Sequence, residues 1–353
     1  METTIDNTVR SVPFRFHGNA GEYFRIWIVN LVLSIITLGI YSAWAKVRNK
    51  RYFYNHTELD GSTFDYHADP MAILKGRLIA FGVFMGLNAT VNFQPLLEPV
   101  FMLLLLLGLP WLMVRALTFN ARNSSYRNIR FDFRSDYRAA AKVYILYPLL
   151  IIVTFGLAYP YFDYRHRDFI VDNSRYGTAD FDFDAQASQF YAIYLKAFAT
   201  AIIAAVVMVF IIPEAHSADP GAGGDSPQEV PQLPSLALLP MFGFIAIYML
   251  AGIYIKTATT NAVFNHAHNR GYRFTSSLRI GRMFWIYISN LLAILASAGL
   301  LIPWAKVRLM HYRMDHLTLE APDALDHFVA SEQERVAATG EELAGIYDID
   351  LGL

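Results

Sequence analysis

Long apolar stretches alternate with short polar ones along this chain. Seven stretches predict helices: 26–45, 73–93, 96–117, 143–162, 191–212, 236–255 and 283–305. Each is about the 20 residues needed to cross a hydrocarbon core roughly 30 Å thick. The run Leu103 to Leu107 within the third has no polar face, unlike the surface helix of a soluble core. A second pattern has period two. Phe14-Arg15-Phe16, Phe131-Asp132-Phe133 and Tyr272-Arg273-Phe274 precede apolar stretches, and Phe64-Asp65-Tyr66 and Phe181-Asp182-Phe183 follow them. Alternating aromatic and polar residues predict short, half-buried strands, and Asp60-Gly61 is a turn signal. Residues 213–235, rich in Pro, Gly and acidic residues, read as a flexible loop. Residues 321–353 read as an acidic tail with a short helix near 332–349.

Three windows, beginning at Phe14, Phe131 and Tyr272, align with one another. Gly39 then matches Gly156 and Gly299, Trp44 matches Tyr161 and Trp304, and Arg48 matches Arg165 and Arg308. Lys46 matches Lys306 but falls on Asp163 in the middle copy, and Asn30 matches Asn290. The connecting parts align too, placing Asn120 on Asn261 and Arg115 on Lys256. A threefold internal repeat follows, with units near 14–67, 131–184 and 272–320 in one membrane domain spanning 1–320.

Composition supports a membrane setting. The chain is 55% hydrophobic and only 17% charged, and its 21 Tyr and 26 Phe suit the aromatic belts of a bilayer interface. A net charge of −1 excludes a global basic field for nucleic acid. Zero cysteines exclude disulfides, thiolate metal sites and a cysteine nucleophile.

Around these features the chain resembles the YjgN family of bacterial inner-membrane proteins, a domain of unknown function. The segments FRFHG, ITLGIYSAWAKVRNKRYFYNHTELDGSTFDYH and GIYDIDLGL carry the likeness. The resemblance implies a bacterial inner-membrane location and no known activity or ligand.

Lys and Arg cluster before segment one and after segments one, three, four, six and seven, whereas the loops between two and three and between five and six carry none. Basic residues favour the cytoplasmic side. If all seven segments span, these clusters fall on both sides. If the three repeated segments instead turn at Gly39, Gly156 and Gly299 and return, every cluster falls on one side. The expected fold is an all-α polytopic membrane protein with short cytoplasmic strands and seven hydrophobic segments, three of them repeats that span, kink or re-enter.

The candidate site residues fall into two groups. Asn30 and Asn290, buried by pattern, with Gly39, Gly156 and Gly299, mark either a polar solute path or helix packing. Trp44, Lys46 and Arg48, repeated as Trp304, Lys306 and Arg308, with Lys75 and Lys196, mark either anionic headgroup binding or interfacial anchoring. His266-Ala267-His268 lacks a third metal ligand, and His56 and His316 lack a carboxylate pair. H-E-x-x-H, phosphate-loop and G-x-S-x-G motifs are absent, so neither enzyme, metal nor cofactor is expected. Two functions remain: a transporter or channel for a small solute, or a scaffold binding anionic lipid, with membrane lipids as partners.

Overall fold

The computed structural model describes residues 10–93, 95–211, 238–322 and 325–350. The loop expected at 213–235 lies outside them. Among the described residues eleven strands form one antiparallel sheet. They are β1 (Arg10–Phe16), β2 (Thr57–Leu59), β3 (Ser62–Tyr66), β4 (Ser124–Tyr126), β5 (Ile129–Phe133), β6 (Ser174–Tyr176), β7 (Ala179–Asp180), β8 (Asp182–Phe183), β9 (Ala267–Asn269), β10 (Tyr272–Ser276) and β11 (Leu317–Ala321). The order is β7-β6-β5-β4-β3-β2-β1-β11-β10-β9-β8. Its two edge strands, β7 and β8, are consecutive in the chain and separated only by Phe181. The sheet therefore curls until its ends meet, and the result is a ring.

Bent strands make the corners. In β1, Arg10 to Pro13 pair with β11 and Phe14 to Phe16 pair with β2. In β5, Ile129 and Arg130 pair with β4, while Phe131 to Phe133 pair with β6. β3 and β10 divide in the same way. The hairpin turns at Asp60-Gly61, Arg127-Asn128 and Arg270-Gly271 each hold two successive residues at positive φ. That is the conformation a two-residue hairpin needs to match strand twist.

From the ring the chain makes five helical excursions. The first is α1 (Ala20–Ile36) and α2 (Ser42–Asn55); the second is α3 (Pro70–Phe93) and α4 (Glu98–Arg122). The third is α5 (Tyr137–Ala141), a π-helical turn at Lys142–Leu146, α6 (Tyr147–Val153) and α7 (Tyr159–Asp172). The fourth is α8 (Ala187–Ile211) and α9 (Leu238–His266), and the fifth is α10 (Ile280–Ala296) and α11 (Ile302–Met314). A final helix, α12 (Leu325–Asp350), follows β11.

One contact recurs at the root of every excursion. The residue that leaves the ring donates its N–H to the carbonyl of the residue that returns: His17 to His56, His67 to Asn123, Arg134 to Asn173, Asp184 to His266 and Ser277 to His316, all at 2.7–3.1 Å. The returning side chain closes the helix by bonding the carbonyl four residues back, as His56 does to Tyr52, Asn123 to Phe119, Asn173 to Phe169, His266 to Ala262 and His316 to Tyr312. His56 and His316 thus act as helix caps. Neighbouring excursions pack through α2 on α3, α4 on α5, α7 on α8, α9 on α10 and α11 on α1.

These findings overturn the all-α fold with seven segments. Among the described residues four helices are long and apolar enough to cross a membrane: Pro70–Thr90, Glu98–Arg122, Ala187–Val206 and Phe242–His266. The other three segments break into paired arms of 17 residues or fewer. Gly39, Gly156 and Gly299 sit at the breaks with φ of 90–92°. Antiparallel pairing of the arms is fixed by Asn30 to Asn49 at 3.1 Å, by Arg165 to the Tyr147 hydroxyl at 3.4 Å and by Arg308 to Asn290 at 2.9 Å. The sheet itself went unread because two- to seven-residue strands carry little hydropathy signal and pair across the whole chain.

Gly177, in the turn after β6, has φ +61, and a Cβ there would meet Glu332 Oε2 at 3.0 Å and Ile129 Cγ2 at 3.1 Å. Gly177→Ala is expected to destabilise the protein by about 1–2 kcal/mol from backbone strain alone, read as a lowered thermal midpoint in detergent. An unchanged midpoint would show that this turn does not clasp α12.

Candidate functional site: an aromatic chamber inside the ring

The period-two motifs place their two aromatic rings differently. The first ring of four motifs, and the second of Tyr272-Arg273-Phe274, points into the ring of strands: Phe14, Phe64, Phe131, Phe181 and Phe274 all line one chamber. The second ring of those four motifs lies nearer the helices. Phe16 packs with Tyr23, Tyr52 and Val307, Tyr66 with Val47, and Phe133 with Val114 and Phe169. Phe183 stacks on Tyr164. On the fifth strand Ser276 takes this place and bonds Asn261 and Asn265.

The chamber has a volume of about 630 Å³. Aromatic rings follow one another around it. Phe181 lies 6.3 Å from Phe274, Phe274 6.3 Å from Phe14, and Phe14 6.2 Å from Phe64. Phe64 lies 4.7 Å from Tyr126, Tyr126 6.3 Å from Tyr176, and Tyr176 5.2 Å from Phe131. The tyrosine hydroxyls are spent on the wall, Tyr126 donating to the Leu59 carbonyl at 2.7 Å and Tyr176 to the Tyr126 carbonyl at 3.1 Å. Burial, the largest influence, pushes the Tyr126 phenol up to about 12 and raises Tyr176 as well, so both stay neutral at physiological pH.

Helix ends form one mouth, through Phe53 and Tyr54 of α2, Leu117 and Ala121 of α4, Ile170 of α7, Phe264 of α9 and Met310 and Met314 of α11. The opposite mouth, at the hairpin turns, is crossed by α12. Its Leu325, Phe328 and Val329 complete the wall, with Phe328 4.6 Å from Tyr272. Polar clamps fix it there. Glu332 is fully buried and accepts from the Thr178 amide at 2.9 Å, the Thr178 hydroxyl at 2.8 Å and Arg270 at 2.5 Å. Asp326 pairs with Arg127, which also reaches the Asp60 carbonyl at 2.8 Å. The tail expected to be simply polar and acidic thus contributes a buried carboxylate.

The charged residues at the chamber wall are paired, Asp132 with Arg122 at 2.7 Å and Arg175 with Asp180 at 2.5 Å. Asn120 is engaged, its Oδ1 accepting from Lys50 at 2.7 Å. Asn269 is 4% exposed and donates to the Ala179 carbonyl at 3.3 Å, but its Oδ1 is buried with no partner among the described residues. A buried acceptor without a donor carries a desolvation cost of about 1–3 kcal/mol, which a ligand donor relieves.

The residues singled out from the sequence lie away from this chamber, in the excursions. Asn30 is buried and donates to Asn49, while its Oδ1 has no partner among the described residues. Asn290 donates to the Ala305 carbonyl at 3.2 Å and accepts from Arg308 at 2.9 Å. Arg308 also donates to Ser289 at 2.7 Å and covers the Trp304 ring at 5.0 Å. Both asparagines therefore cross-link the arms of one excursion. Trp44 stacks with Tyr41, and Lys46, Arg48, Lys306, Lys75 and Lys196 are exposed. The sequence drew attention to the Phe motifs as strands but not as a site. The signal was present in the repeated aromatic rings; the convergence of five copies on one point was not.

Asn290→Leu strands Arg308 and is expected to cost about 1–3 kcal/mol, more than Asn30→Leu, which breaks one neutral bond. Thermal unfolding of the two variants in detergent checks the order.

A family model described as "Bacterial protein of unknown function (DUF898)" matches residues 11–346. Inner membrane protein YjgN of Escherichia coli (strain K12) is 33% identical over 152 residues, 43% of this chain and 38% of that protein. Inner membrane protein YjgN of Salmonella typhimurium is 32% identical over 139 residues, 39% of this chain and 35% of that protein. The chain spans under two fifths of the length of the curated relatives it matches. No solved structure matches.

Proposed function

The chain belongs to the bacterial family of unknown function DUF898, and from that premise we propose that it is a multi-pass inner-membrane protein that binds an apolar chain at the cytoplasmic face. The family relatives named as inner membrane proteins support the location. In this reading α3, α4, α8 and α9 cross the bilayer, and the ring, flanked by every basic cluster, lies in the cytoplasm. The strand and excursion form one unit used five times around the ring, of which the threefold repeat in the sequence is a subset.

The chamber carries the functional reading. A volume of about 630 Å³ falls within the 300–1,000 Å³ typical of small-molecule sites, and aromatic and aliphatic side chains dominate its lining. Such a wall fits an acyl or isoprenoid chain, with Asn269 Oδ1 meeting a hydroxyl or other donor on the ligand. Of the two roles left open by the sequence, lipid binding is therefore favoured over a small-solute path. The site moves from the Trp44–Lys46–Arg48 edge to the interior of the ring.

A fluorescent fatty acid titrated into the purified protein tests this, alongside mass spectrometry of co-purified lipid. Phe64→Trp and Phe274→Trp, which fill the chamber, are expected to weaken binding by about tenfold or more, because an overfilled packed site costs roughly 1–3 kcal/mol. A wild-type protein that binds no probe and carries no lipid, or variants that bind as well as it does, sinks the reading.

Topology has its own test in this cysteine-free chain. In intact cells an impermeant thiol reagent is expected to label Leu96→Cys, between α3 and α4, and to leave Thr63→Cys on β3 untouched until the membrane is opened. The reverse pattern would invert the protein.

A further inference from the structure

The three short excursions end in tips whose chemistry is unusual for a turn. Leu38 is 95% exposed, Phe155 98% and Ala298 lies at the matching place, with Ile36, Ile40, Val153, Leu157, Leu295 and Leu300 around them also exposed. A turn of large apolar residues in water has no evident stabilisation. In hydrocarbon, a turn has the opposite problem, because each unpaired backbone N–H costs several kcal/mol.

These tips have solved the second problem. In the first, the N–H groups of Thr37, Leu38, Gly39 and Ile40 bond the carbonyls of Leu33, Ile35, Ser34 and Thr37, and that of Ser42 bonds Gly39. The remaining one, on Tyr41, donates to the Thr37 hydroxyl at 2.9 Å, and that hydroxyl in turn donates to the Leu33 carbonyl at 2.7 Å. In the second tip Thr154 takes the same two bonds, accepting from the Ala158 amide at 3.1 Å and donating to the Leu150 carbonyl at 2.7 Å. In the third Ser297 accepts from the Leu301 amide at 3.0 Å and donates to the Ile294 carbonyl at 3.2 Å. The backbone donors of Thr154 to Tyr159 and of Ser297 to Ile302 are otherwise met as in the first tip. Six consecutive N–H groups are satisfied within each tip, and one hydroxyl serves both arms.

Charge sets the depth. The first Lys, Arg, Asp or Glu after each tip glycine comes seven positions on: Lys46 after Gly39, Asp163 after Gly156 and Lys306 after Gly299. At 1.5 Å per residue that is about 10 Å, short of the roughly 15 Å thickness of half a hydrocarbon core. Trp44 and Trp304 lie just inside those lysines, and Lys46 and Lys306 are exposed, an arrangement of aromatic ring and cation that suits the headgroup level. Asp163 is instead buried, paired with Arg167 at 2.9 Å and with the Tyr194 hydroxyl at 3.1 Å.

We infer that the tips at Leu38, Phe155 and Ala298 are embedded in the acyl chains of the leaflet beside the strand ring and end within it. The partner of this surface is lipid hydrocarbon. Three dips alternating with two crossing pairs hold the ring flush with the membrane around its circumference.

An environment-sensitive fluorophore attached to Leu38→Cys, Phe155→Cys or Ala298→Cys, in full-length protein in phosphatidylethanolamine–phosphatidylglycerol vesicles, tests this. Expected results are a blue-shifted emission, strong quenching by lipids with a nitroxide on the acyl chain near the headgroups of the ring-side leaflet, and no reaction of the free cysteine with an impermeant maleimide from either side. Labelling from the ring side places the tips in water, and labelling from the far side makes the segments cross. A blue-shifted fluorophore that lipid nitroxides do not quench means that protein covers the tip. Each of these three results overturns the inference.

Discussion

Closure of the sheet is the constraint on which this protein depends. Its strands are two to seven residues long, too short to be stable as isolated pairs. An open sheet would also leave two edges with unpaired N–H and C=O groups. Pairing β1 with β11, and dividing residues 179–183 into β7, which pairs with β6, and β8, which pairs with β9, removes both edges. Each bent strand then bonds one neighbour with its first half and another with its second, so the corners of the ring are also its joints. The helices inherit their positions from these joints, since every excursion is pinned at its root by one backbone bond between departure and return.

The chamber follows from the same geometry. Side chains alternate across a strand, so a ring of strands turns one face inward. Five phenylalanines at equivalent positions occupy that face, and the ring is too wide for them to meet at its centre. Elsewhere apolar contacts are tight: the neighbouring second aromatic residues pack against helix bases in small clusters with Tyr23, Val47, Val114 and Phe169. The empty centre and the filled periphery come from a single alternating motif, read at two successive positions.

Some of this was legible in the sequence. The F-x-F alternation marked the strands, Asp60-Gly61 marked a hairpin, and Gly39, Gly156 and Gly299 marked the points where three apolar segments change direction. Hydropathy alone overcounted the helices long enough to cross a membrane, because about 20 charge-free residues look alike whether straight or folded back on themselves. The ring was hidden for a different reason. Pairing of Arg10 with Ala321 joins residues from distant parts of the chain, and neither carries a local sign of its partner. Glu332 was read as one more charge in an acidic tail; only the placement of Arg270 and Thr178 opposite it reveals a buried clamp. Asn290 and Arg308 each stood out in the sequence, yet their direct contact depends on the turn between them.

A ring that closes through β1 and β11 also ties assembly to the order of synthesis. β1 leaves the ribosome before β11 and lacks its second neighbour until β11 has followed nearly all of the helices. Throughout that interval the nascent protein holds an incomplete cylinder with a live edge, the kind of species that invites mispairing. The cavity then belongs to no segment of the chain. It is complete only with β11 paired to β1 and α12 lining the wall, so that a product truncated before them would have its apolar helices without that interior.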